Sequence, residues 1–486
     1  MRFNSYIFIL LFLPLCVTGY FTLHRFRKHT WAKVYLLGMS LWFYGFFEWR
    51  YLLIMASSIG VNYAMNRVMA RSRREGIRRA AFIAGMALNL GILGYFKYTD
   101  FFITNINAVF GTQIKLLRLV LPLGISFYTF QQISYMIDSY HRKVPDYGFL
   151  DYALFVAFFP QLVAGPIVLH SEIVPQFADE KKYRPDSDNI LRGLYMLGFG
   201  LAKKVLLADV LGGAVDWAYA NIAGLNSTSA FMAMLCYTLQ IYLDFSGYCD
   251  IASGCALLFN IELPVNFFSP FRQTTIAGFW KNWHITLTRF FTTYVYIPLG
   301  GSRRGTARAC LNTMIVFTLS GLWHGAGWTY ICFGMAYGIM LVFCRLFKKQ
   351  LAATPGWILW PITFILQLFN ISMFRANTLS DAWLLWSRLF RFDFGAIASG
   401  MSQGILRMEI DVVFNKVLRT VSAIPEWLPL VLLAAFCLYA STGMKNVHER
   451  LQHFRPGFKT GIVTVVLLVW SVLSLSGVTT FLYFNF

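Results

Sequence analysis

The sequence predicts an all-α, polytopic integral membrane protein with about 11–13 membrane segments, some of them re-entrant or oblique, around a central cavity. Three features carry that prediction. Only 13% of the 486 residues are charged, roughly half the share of a soluble domain, and too few to cover a water-facing surface of that size. The chain is 57% hydrophobic and 18% aromatic, with a mean hydropathy of +0.56. Its apolar stretches are long and unbroken, whereas an outer-membrane barrel needs short alternating strands. Soluble, disordered and collagen-like classes are excluded on the same ground.

Taken in order, the expected spans are 6–23, 33–48, 50–66, 80–96, 116–137, 150–168, 190–211, 229–259, 310–326, 328–347, 357–374, 427–443 and 460–480. The first follows a single Arg2 and lacks a small-residue cleavage site, so it reads as a retained span and not a signal peptide. Basic residues gather in the loops between spans: Arg25, Arg27, Lys28 and Lys33, then Arg67, Arg71, Arg73, Arg74, Arg78 and Arg79, then Lys445, Arg450, Arg455 and Lys459. That is the positive-inside pattern, with cations beside anionic lipid. The net charge of +20 therefore reports topology, and no nucleic-acid partner is expected. With the N-terminus outside, the loops at 24–33, 67–79, 139–150 and 445–459 fall inside and the C-terminus outside.

Several stretches make poor simple spans. Leu121–Gln131 opens with Pro122 and Gly124, and 262–309 contains Pro264, Pro270, Pro298 and the Gly300-Gly301 pair. Broken backbone at membrane depth requires surrounding protein or a watery cavity, which predicts re-entrant or oblique helices there. The more polar 377–426 suits a surface-lying amphipathic excursion. No internal repeat is apparent, which weakens an inverted-repeat transporter. The chain reads as one membrane domain, with N-terminal helices over 1–115, a core over 116–347, and C-terminal helices with an aromatic tail over 348–486.

Ionisable groups within membrane segments are expensive, so each is a candidate for function. The eight cysteines lie in apolar surroundings without a CxxC pair, which supports neither a disulfide framework nor a metal site. His24, His29, His141, His448 and His453 sit in charged loops and read as solvated, and His170, after Gly165-Pro166, reads as interfacial. Two histidines remain: His284 in FWKNWHITLTRFF and His324 in SGLWHGAGW. Gly321 and Gly325 flank His324 at GxxxG spacing, which lets another backbone approach beside the imidazole. A neutral imidazole there can take a proton from a hydroxyl. Asp244 and Asp250, six residues apart, do not share one helix face. They read as a polar lining or as partners of a buried cation such as Lys281 or Arg289, or as a structural ion pair between helices. Arg272, Lys281, Arg289, Arg303, Arg304 and Arg308 cluster across 262–309. They suit either an acidic, phosphate-rich donor or lipid headgroups.

The ordered series LPLGISFYTFQ, PQLVAGPI, YLDFSGYCDIA, FWKNWHITLTRFF, YIPLGGSRRG and SGLWHGAGW resembles the membrane-bound O-acyltransferase family. The likeness is greatest to its bacterial alginate O-acetyltransferase-like branch, related to the D-alanyl transfer protein of teichoic acids. It runs along the whole chain and is most specific over 121–335.

The resemblance implies a multi-pass enzyme of the bacterial inner membrane that passes an acyl group, acetyl first of all, from a cytoplasmic thioester to the outer side for O-acetylation of an envelope polysaccharide. It implies His324 as the key histidine and His284 as the second polar member of the site. The donor is acetyl-CoA or an acyl carrier thioester, with no permanently bound cofactor, and Lys281, Arg303 and Arg304 are the expected donor-binding cations. The ending Phe481-Leu-Tyr-Phe-Asn-Phe486 resembles an FxYFxF acyl-transfer motif, which implies Tyr483 as an acyl relay to an extracytoplasmic SGNH (esterase-like) acetyltransferase. Read from the residues alone, the same ending is an aromatic anchor at the interface. Membrane lipids are the remaining partners. The competing readings are D-alanyl transfer to teichoic acid and, in a different class, a transporter of a solute or lipid-linked sugar.

Overall fold

A computed structural model describes residues 1–46, 48–406, 425–477 and 481–482, and every regular element among them is helical. Leu10, Val109, Phe458 and Leu473 are largely exposed, an arrangement suited to lipid and not to water. Four helices, Ile7–Arg25, Glu75–Phe110, Trp328–Leu346 and Gly356–Arg375, are long and apolar enough to cross a membrane. The other expected spans are largely helical, but shorter, interrupted or more polar, and the one expected over 116–137 is irregular to Gly124, its helix running Ile125–Tyr140. The stretch expected to run unbroken over 150–168 divides into Phe149–Ala157 and Phe159–Leu162. Pro160 has no N–H to donate to Val156, so the helix breaks beside it.

Residue contacts gather the chain into two compact units, one of residues 1–197, 249–265 and 289–295, the other of 198–248, 266–288 and 296–486. In the first, Phe3, Phe8, Phe12, Phe43 and Phe159 pack ring on ring with centroids 4.9–6.5 Å apart. Polar side chains fasten its helices. Asn62 and Asn89 exchange side-chain hydrogen bonds of 2.6 and 3.2 Å, and Gln132 receives Tyr152 Oη at 3.2 Å while donating to Ser58 at 3.0 Å. Interhelical amides of this kind join helices where the hydrophobic effect cannot. Arg289 grips Glu172 through two hydrogen bonds.

Two histidines of this unit depart from expectation. His170 is buried, its Nε2 3.5 Å from Asp138. His24 is buried as well, stacked 4.1 Å from the Tyr183 ring and 2.8 Å from His29 through the two Nδ1 atoms. The sequence implied solvent around His24 and an interface around His170, but packed neighbours bury both rings.

In the second unit, helices Thr306–His324 and Trp328–Leu346 meet through glycine. A Cβ at Gly321 would stand 2.3 Å from the Tyr330 carbonyl oxygen and 3.0 Å from Gly334 Cα. The close backbone approach that GxxxG implies is thus made at Gly321, while Gly325 makes room for the Tyr330 ring. Gly321→Val is expected to destabilise the protein by about 1–3 kcal/mol, read as a lower thermal unfolding midpoint in detergent. An unchanged midpoint would mean that the helix pair can part at no cost.

The irregular stretch after Leu257 follows the sequence expectation. It holds two seven-residue helices, Ile276–Asn282 and Ile285–Phe291, and positive-φ turns at Gly300, Gly301 and Gly305. Two of its carbonyls are met inside the protein: Asn312 donates to those of Leu299 and Gly301 at 3.4 and 3.0 Å. The predicted surface-lying region contains the amphipathic helix Leu379–Leu389, closed by a Thr378–Asp381 capping box. Its Trp383 is exposed while Ala382 and Leu385 are buried. Residues 407–424 of that region lie outside the described residues.

Candidate functional site

The two singled-out histidines converge within the second unit. His324 is the last residue of Thr306–His324, where Gly325 takes the backbone into an extended conformation. His284 stands between the two seven-residue helices with a left-handed φ of 45°, a conformation that costs a non-glycine residue about 1–3 kcal/mol. Asn266 holds it there. Its Oδ1 accepts from Thr286 N at 3.2 Å and Thr286 Oγ1 at 2.9 Å, and its carbonyl accepts from Ile285 N at 2.9 Å. The ring centroids of His284 and His324 are 6.3 Å apart. Asn266, His284 and His324 are 1%, 0% and 5% exposed, so the pair sits in the interior.

The hydrogen bonds also assign the His284 tautomer. A backbone N–H only donates, so the Asn266 atom facing Thr286 N is the carbonyl oxygen. His284 Nδ1 lies 3.2 Å from that same oxygen and must therefore carry the proton. In the neutral ring Nε2 is then the lone-pair nitrogen. It can accept a hydrogen bond, but cannot donate one without first gaining a proton.

The surroundings are aromatic. Phe245 meets His284 edge-on at 4.9 Å, while Trp323, Phe333 and Phe374 pack around His324 at 5.0–6.0 Å. A cavity of about 20 Å³ opens among Phe245, Trp283, His324, Phe333, Tyr337 and Phe374, room for one water-sized group. Any group larger than a water molecule must therefore displace side chains to reach the imidazole. Tyr337 in this wall is itself fixed by donating its hydroxyl proton to Gln367.

The remaining candidates lie elsewhere. Lys281, Arg303 and Arg304 are exposed and none of them lines the histidine cavity. Tyr483 lies outside the described residues, although Phe481 and Leu482 before it are described. Asp244 does not pair with Lys281 or Arg289. It hydrogen-bonds Lys204, whose Nζ also donates to Asp209 at 2.7 Å. Asp250 is buried in the same long helix, Ser227–Leu257, and belongs to the other unit.

Lys204, Asp209 and Asn266 were missed by the sequence reading. The signal for the first two was present, since Lys203-Lys204 and Asp209 interrupt the apolar segment 190–211 and ionisable groups there are functional candidates by default. A lone Asn266 in LPVNFFSP carries no comparable signal, because its importance lies in a bond to a residue on another element.

Residues 138–380 match the family model described as MBOAT, membrane-bound O-acyltransferase family. A peptidoglycan O-acetyltransferase of Helicobacter pylori is 36% identical over 100% of this chain and 97% of its own length. A Pseudomonas aeruginosa protein described as "Probable alginate O-acetylase AlgI" is 35% identical over 81% of this chain and 75% of its own. A teichoic acid D-alanyltransferase of Bacillus subtilis is 24% identical over 48% of this chain and 61% of its own.

Proposed function

The chain belongs to the membrane-bound O-acyltransferase family, and from that premise we propose that it carries an acetyl group from a cytoplasmic thioester through the membrane for O-acetylation of a cell-envelope polysaccharide. It is a membrane-bound O-acyltransferase, and the bacterial inner membrane is the location this route requires. The observation that carries the reading is the meeting of His324 and His284 at one buried, aromatic-walled point. Acetyl is preferred to D-alanyl because the O-acetylating relatives match across far more of this chain than the D-alanylating one.

In the proposed chemistry His324 is the general base. It takes the proton of an attacking hydroxyl as the oxygen bonds to the thioester carbonyl carbon. The C–S bond then breaks, and the thiolate leaves with the proton held by the imidazolium. The tautomer of His284 favours an orienting role, accepting a hydrogen bond at Nε2, over donation to the carbonyl. Tyr483 supplies the hydroxyl that is acylated first, and its ester is then passed to an extracytoplasmic esterase-like acetyltransferase. Dividing the transfer in this way is covalent catalysis.

The test is made in proteoliposomes supplied with labelled acetyl or D-alanyl thioester on one face, and with the glycan and the partner acetyltransferase on the other. Acetyl ester on the glycan is expected. Equal use of D-alanyl thioester, or passage of a solute without acyl transfer, would overturn the reading. Lys281, Arg303 and Arg304 are proposed to attract the acidic donor. Neutralising Arg303 and Arg304 together is expected to raise the apparent KM for acetyl-CoA by about three- to tenfold at low salt, with the difference shrinking in high salt. An unchanged KM would assign these cations to lipid headgroups.

A further inference from the structure

Helices Leu428–Thr442 and Phe458–Leu473 border a cavity of about 600 Å³ that the chemistry above does not use. Its third side comes from residues 199–210, which cover roughly 15 Å at helical rise and include the π-helix Ala202–Ala208. All of it lies in the second unit. The walls are apolar, made by Leu206, Val210, Leu433, Phe436, Leu467 and Trp470. Phe436, Val463 and Trp470 are 41–50% exposed, so the cavity opens toward the surrounding hydrocarbon. Cations gather at one end of it. Arg450 lies over the Phe199 ring, 5.4 Å from Cζ to centroid, and its Nε donates to the Lys445 carbonyl at 3.0 Å. Lys203 lines the cavity one turn beyond Phe199.

Two of these cations have no acid to meet. Glu449, the carboxylate between Lys445 and Arg450 in sequence, is bound to Arg272 at 2.9 Å, and neither Lys445 nor Arg450 has a carboxylate partner among the described residues. Lys203 donates to the neutral Ser246 hydroxyl at 3.5 Å. Its neighbour Lys204 is spent elsewhere, on Asp209 and Asp244, where the Phe481 ring covers the ammonium at 4.5 Å and Leu482 N donates to Asp244 at 3.0 Å. An occupant of the cavity must therefore be apolar along its length and anionic at one end. The depth matches the hydrocarbon of one leaflet, about 15 Å. An acyl chain needs no polar partner, whereas the amide-bearing arm of coenzyme A would bury groups that Leu433, Phe436, Leu467 and Trp470 cannot satisfy. Basic pockets between membrane helices bind acidic headgroups on the cytoplasmic side, where the loop 445–459 is expected. We propose that this cavity binds one acidic phospholipid, its acyl chain along residues 199–210 and its phosphate headgroup held by Lys445 and Arg450 with Lys203 beside them. A net negative lipid is selected because a zwitterionic one brings its own cation to the site. Tyr242 and Leu243 line this cavity while Ile241 and Phe245 line the histidine cavity, so the lipid braces the helical stretch that also walls the histidine site.

The experiment uses the full-length protein, purified in detergent, stripped of lipid, and then given phosphatidylglycerol or phosphatidylcholine with identical chains. Native mass spectrometry counts the lipid retained, and the thermal unfolding midpoint reports its effect on the fold. One phosphatidylglycerol per chain is expected to be held at least about tenfold more tightly than phosphatidylcholine and to raise the midpoint. Lys445→Gln combined with Arg450→Gln is expected to remove about tenfold or more of that preference, most clearly at low salt. Ala440→Trp keeps the charges and fills the cavity, so it remains informative if the charge variant misfolds. It is expected to weaken phosphatidylglycerol about tenfold or more by excluding the chain. Equal retention of the two lipids by wild type, or unchanged phosphatidylglycerol retention in either folded variant, overturns the site. Full protection by glycerol 1-phosphate, the headgroup without chains, would make it a free-phosphate site and overturn the lipid assignment. Displacement of the lipid by coenzyme A would give the cavity to the thioester donor and overturn it as well.

Discussion

Replacing His324 by alanine is expected to slow acyl transfer by about 10²–10⁴-fold, the usual range for loss of a general base, in protein that still inserts and folds. The ring is almost wholly buried against Phe333 and Phe374. Truncation therefore leaves a void, worth up to a few kcal/mol of stability by analogy with other core truncations. His324→Gln separates the two effects, since it keeps most of the volume and a polar end but has no basic nitrogen. Both variants are expected to fail in transfer to p-cresol as well as to glycan, because the base serves any hydroxyl. A protein that moves an intact solute would tolerate the glutamine. Near wild-type rates for His324→Gln, with the folded fraction measured on the same sample, would remove the imidazole from the mechanism.

Tyr483→Phe is expected to lower glycan acetylation by about 100-fold or more, since a held intramolecular acceptor works at effective molarities of about 10⁵ M and above. The substitution removes one oxygen and keeps the aromatic ring, so any anchoring at the interface survives. A phenol ionises near pH 10 in water and is a poor nucleophile at neutral pH without a base, which ties this prediction to His324. Donor binding and p-cresol acylation should persist in Tyr483→Phe and disappear in His324→Ala. Normal glycan acetylation in Tyr483→Phe would reduce the tail to an anchor and leave direct transfer from donor to acceptor.

The membrane class, the broken backbone of 262–309 and both histidine motifs were legible because each is a local property. An imidazole flanked by glycine and tryptophan in an apolar run stands out without knowledge of its neighbours, and proline and glycine interrupt a helix wherever it lies. The Gly321 contact was legible for the same reason, as small residues at helical spacing announce a close approach before the partner is known. Burial of His24 and His170 was not. A charged loop implies solvent and a Gly-Pro segment end an interface, yet Tyr183, His29 and Asp138 pack against these rings.

Ion pairing was the least legible feature. Asp244 read as a polar lining, as a partner of a cation such as Lys281 or Arg289, or as a structural ion pair, whereas the fold gives it Lys204 and gives Arg289 to Glu172. An isolated buried charge must find a partner, but the choice among several candidates depends on which side chains the folded chain brings within 3 Å or so.

By itself, then, the sequence determined the solvent this protein lives in, the helical class that solvent enforces, and the residue types able to move a proton. Backbone hydrogen bonding in lipid leaves few alternatives to helix, and a histidine in an apolar run declares itself. The tertiary structure alone decided that His284 and His324 share one interior point, that Asn266 sets the His284 tautomer, and that Lys204 and Asp244 take hold of residues 481–482. Those are contacts between distant parts of the chain, and hydrogen bonds and ion pairs depend on separations of a few tenths of an ångström that no local pattern encodes.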